Sequence, residues 1–101
     1  MKIKNLDQAM TTISGAKIML TSDKAMTYRN ALVSACETHQ GQPGSGDNIK
    51  AYDLGIKIMN AEEDLELSEE DLEFLNKVID SNQAFMAVVV GRLHEFINVN
   101  K

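Results

Sequence analysis

The chain has 101 residues, of which 25% are charged and 44% hydrophobic, with five aromatics and no Trp. That length supports one domain and excludes a second independent core, and the composition excludes a disordered tail, a collagen-like repeat and a disulfide scaffold. Formal net charge is −5, which argues against bulk electrostatic capture of nucleic acid or an anionic membrane.

The lone Cys36 can form no internal disulfide, so nothing requires an oxidising compartment. No apolar run approaches the roughly 20 residues that span a bilayer. The opening Lys2-Ile3-Lys4-Asn5 carries bases with no apolar run of signal-peptide type behind them. The expectation is a small soluble cytoplasmic domain.

In chain order, residues 1–26 admit two readings. Lys17-Ile18-Met19-Leu20, Thr21-Ser22-Asp23-Lys24 and Ala25-Met26 fit a short β-hairpin. Alternatively Ser22 caps a longer helix over 23–38, and Leu6, Met10 and Ile13 have the spacing of a short N-terminal helix. Thr27-Tyr28-Arg29-Asn30 begins a helix to about Thr38, with Tyr28, Ala31, Leu32, Ala35 and Cys36 on one stripe.

The segment Gly41-Gln42-Pro43-Gly44-Ser45-Gly46 holds the only proline and reads as a loop. It lacks the Lys-Ser/Thr of a phosphate cradle. Asp47 or Ser45 then caps a helix to about Met59. Ile49, Tyr52, Ile56 and Met59 form one apolar face, the first three of them expected in the core, while Leu54 and Ile58 point nearly the opposite way. A helix apolar on two sides is central in its fold or faces a partner, so Leu54 and Ile58 are candidates for self-association.

Ser68 caps a further helix over 69–80, with Glu69, Glu70 and Asp71 in its first turn, Asp71 at the capping-box position, and Leu72, Leu75, Val78 and Ile79 on its apolar face. Asn82 is placed to cap a last helix over 83–97, in which Phe85, Val89, Leu93 and Phe96 keep helical period despite the β-branched Val88-Val89-Val90. Gly91 lies opposite most of that apolar arc. Its low helix propensity suits a close backbone approach, to a neighbouring helix or to a second subunit. The fold class is therefore mainly α: a single domain of four helices with a short N-terminal β-hairpin as one option for its first residues.

Charge is uneven. Residues 1–60 carry seven bases and five acids, and residues 61–101 three bases and ten acids, eight of them between Glu62 and Glu73. Capping accounts for Glu69, Glu70 and Asp71 but not for Glu62, Glu63, Asp64 and Glu66. Those four are the candidate surface for a basic protein partner, against the plainer reading of a solvated loop.

No catalytic, cofactor or metal site is expected. Cys36 falls on an apolar stripe, as inert buried cysteines do. His39 sits at a helix C-terminus and His94 on a polar helix face, too few and too scattered for structural zinc. Residues 62–73 lack the glycine and alternating oxygen ligands of an EF-hand. No nucleophile stands in a Gly-x-Ser-x-Gly turn. The helices over 27–38 and 47–59 are joined by too long a loop for a helix-turn-helix, and the second offers only Lys50 and Lys57.

Several segments together resemble small proteins of tailed phages and prophages: Gly15-Ala16-Lys17-Ile18, Thr27-Tyr28-Arg29-Asn30-Ala31-Leu32, Lys57-Ile58, Leu67-Ser68-Glu69-Glu70-Asp71 and Val89-Val90-Gly91-Arg92. The resemblance covers most of residues 15–98. It implies a phage accessory or assembly protein, in the host cytoplasm or the virion, and brings no active site, substrate or cofactor. The expectation is a non-enzymatic protein-interaction module that self-associates. The alternative is a small nucleic-acid-binding regulator.

Overall fold

A computed structural model describes residues 2–62, 64–82 and 85–99. Its elements are β1 (Lys2–Ile3), α1 (Tyr28–Glu37), α2 (Asp47–Asn60), β2 (Leu65–Glu66), α3 (Glu69–Ser81) and α4 (Ala87–Val99). The mainly α, four-helix expectation holds.

The first residues take the hairpin reading and extend it. Met10 N–H donates to Met26 O (2.8 Å), Met26 N–H to Ile18 O (2.7 Å) and Ile18 N–H to Met10 O (2.9 Å). Three short extended segments thus close a ring, each bridged to the other two at Ala9–Thr27, Thr11–Lys17 and Met19–Ala25. Gly15, at φ 95°, supplies the left-handed residue at the tip of the first hairpin. Neither N-terminal helix alternative occurs. Leu6 and Met10 are buried, but Ile13 is 90% exposed, because the hairpin turn carries it away from the core.

Thr27 begins α1 with a reciprocal cap: its side chain accepts from Asn30 N–H while Asn30 Oδ1 accepts from Thr27 N–H. Gly46, at φ 83°, precedes α2, and the Ser45 hydroxyl accepts from Asp47 N–H. Ser68 Oγ accepts from Asp71 N–H at the start of α3, as the sequence predicts. Asp71 itself turns to Lys57 on α2, at 3.6 Å.

The last helix begins later than expected, at Ala87. Asn82 Oδ1 accepts from Phe85 N–H ahead of α4 rather than within it, and the first two residues of the expected helix, 83 and 84, lie outside the described residues. Tyr28 of α1 stacks on Phe96 of α4, with ring centroids 4.1 Å apart.

Two arginines hold the pieces together. Arg92 of α4 donates from Nε to Thr11 O (2.9 Å) and from Nη2 to Thr12 O (2.9 Å), tying the hairpin ring to the helices. Arg29 of α1 donates from Nη1 to the carbonyls of Ile58 (2.8 Å), Met59 (3.2 Å) and Ala61, and from Nη2 to that of Glu62 (3.1 Å). A guanidinium thus takes up the open carbonyls at the C-terminus of α2, where a cation also complements the helix dipole.

α2 presents the opposite face to the one expected. Ala51, Leu54, Gly55 and Ile58 are buried, whereas Ile49, Tyr52 and Ile56, expected in the core, are exposed. The reason is steric. A Cβ built on Gly55 would lie 3.0 Å from Cys36 Cβ on α1, so the face of α2 that carries Gly55 and Ala51 admits so close a neighbour. Leu54 (5% exposed) and Ile58 (0%) are core residues and offer nothing to a second subunit.

Candidate functional site: an outward apolar stripe on α2

With its small face turned inward, α2 leaves four large apolar side chains facing out. Ile49, Tyr52, Ile56 and Met59 are 69%, 65%, 43% and 53% exposed. Rising 1.5 Å per residue, they form a stripe about 15 Å long. Beside it lies a groove of about 270 Å³ between α1 and α2, lined by Val33, Cys36, Ala51, Tyr52, Gly55 and Ile56 among others. Scattered single apolar residues on a surface are ordinary, but a contiguous patch of them marks an interaction site.

The groove lining is apolar apart from Glu37 and the Tyr52 hydroxyl. Cys36 is buried at its floor, and its thiol is pushed up to about 11 by burial, with the neighbouring Glu37 adding to the shift. The thiolate is the reactive form, and the ordinary value is 9.0. Alkylation of the native protein near neutral pH is therefore expected to run about a hundredfold slower than after denaturation. Equal rates in the two states, measured by mass spectrometry, would show that Cys36 is not held as described.

The acidic segment has a counterpart the sequence reading missed. β1 pairs antiparallel with β2, with Lys2 opposite Glu66 and Ile3 opposite Leu65. Leu65 and Leu67 are buried while Asp64 and Glu66 are exposed. Strand alternation thus explains Glu66, with the exposed Asp64 just ahead of β2, and the exposed Lys2 stands on the partner strand with the exposed Lys4 directly after it. The alternation Lys-Ile-Lys against Asp-Leu-Glu-Leu was the available signal. Glu62 is exposed, its carbonyl held by Arg29, and Glu63 lies outside the described residues.

Glu66→Lys should cost about 0.5–1 kcal/mol by setting like charges opposite each other, and Lys2→Glu should restore the loss in the double variant. Chemical denaturation checks both. The same reversal at Glu62 should leave stability within about 0.5 kcal/mol.

The remaining candidates are dispersed. Gly91 is exposed, and a Cβ there would meet nothing within 4 Å, so among the described residues no helix makes the close approach envisaged for it. His39 Nδ1 lies 3.3 Å from Ser81 Oγ, with the ring edge-on to Phe74. His94 joins α4 to α3, with Nδ1 2.9 Å from Asn76 Oδ1 and Nε2 2.7 Å from Asp80 Oδ1. Lys50 lies 4.9 Å from the Phe74 ring centroid and Lys57 pairs with Asp71, so both lysines of the supposed recognition helix already have partners within the chain.

Among the described residues no group of three or more His, Cys, Asp or Glu is placed to hold a metal, and no helix is long and apolar enough to cross a membrane. The architecture defines a mainly α domain with a two-stranded antiparallel sheet. No family model, curated protein or solved structure matches the chain.

Proposed function

We propose that this protein is a non-enzymatic interaction module that docks through the outward face of α2, in the setting of a tailed phage or prophage accessory or assembly protein working in the host cytoplasm or the virion. The observation that carries the docking surface is the stripe Ile49, Tyr52, Ile56, Met59, four large apolar side chains left in water by a helix that has a smaller face for its own core. Leaving them exposed costs solubility and gives the monomer nothing, whereas a covering protein surface gains roughly 25 cal/mol per Å² of apolar area. The phage setting rests on the sequence resemblance alone. The interaction role does not depend on it.

Expressed with a tag in its source cell, the chain should elute from extracts in assemblies heavier than one copy. Tyr52→Glu and Ile56→Glu, both at exposed positions, should return it to monomer mass with the circular dichroism spectrum unchanged. A chain that elutes as a monomer from those extracts, with or without the substitutions, would overturn the reading.

A further inference from the structure

We draw no further inference here: the strongest candidate, the apolar stripe of Ile49, Tyr52, Ile56 and Met59 on the outer face of α2 with the groove beside it, belongs to the docking site already described, and nothing in the structure shows what covers it.

Discussion

Arg29→Ala should destabilise the protein by about 3 kcal/mol, lowering the melting temperature by about 15 °C for a domain of this size. Arg29 lies on α1, yet its guanidinium serves four carbonyls at the end of α2, along with both carboxylate oxygens of Asp7, at 2.9 and 3.3 Å. Its side chain is only 12% exposed. Truncation takes the guanidinium donor from the part-buried Ala61 carbonyl and leaves that of Ile58 with only the long Ala61 N–H contact, at 3.4 Å, and charge-assisted bonds lost together cost more than neutral ones. Lysine should recover less than half of the loss, since a point charge cannot serve a planar fan of acceptors. A loss below 1 kcal/mol by chemical denaturation would mean that the cap is ornamental.

The same cluster fixes a pH dependence. Arg29 hydrogen-bonds the Asp7 carboxylate and holds its pKa below the ordinary 3.8, against a small opposing effect of burial. A carboxyl depressed in the folded state favours folding above its unfolded value, and that contribution is lost as pH falls through the lower folded value. Because Asp7 is largely in water, the effect is small. Its signature is that Arg29→Ala flattens the acid limb of the stability profile below about pH 4.

What was legible in the sequence was whatever depends on neighbours along the chain. Ser68 with its acidic first turn, and Leu72, Leu75, Val78 and Ile79 behind it, specify α3 without help from the rest of the molecule. Thr27 and Asn30 likewise specify the start of α1. What was not legible depends on distant backbone. The carbonyls that Arg29 caps lie 29–33 residues away, and a carbonyl has no sequence signature.

The hairpin ring closes through backbone groups of Met10, Ile18 and Met26, again leaving no side-chain trace beyond the turns. α2 shows a third kind of failure. Its larger apolar face looked like the core face because it carries four large apolar residues, whereas the other carries Leu54 and Ile58 beside the small Ala51 and Gly55. Packing ranked the faces the other way, by how near α1 can come. The candidate site was thus visible as a two-faced helix, with the assignment of faces reversed.

That reversal rests on Gly55, and substituting it should test the packing directly. A Gly within a helix ordinarily gives way to Ala with a gain of about 1 kcal/mol. Gly91, where an added methyl would find nothing within 4 Å, should show that gain. Gly55 should not. Its added Cβ would stand 3.0 Å from Cys36 Cβ, an atom fixed to the α1 backbone that no rotamer change can move.

Overpacking of this kind costs about 1–3 kcal/mol, so Gly55→Ala should be mildly destabilising and Gly55→Val should lose about 3 kcal/mol. Because the conflict is with one atom, Cys36→Gly should relieve it. In that background Gly55→Ala should turn neutral or favourable, a coupling of at least 1 kcal/mol in a double-mutant cycle. If Gly55→Ala and Gly91→Ala stabilise alike, α1 and α2 are not in the close contact that turns Ile49, Tyr52, Ile56 and Met59 outward, and the docking face loses its cause.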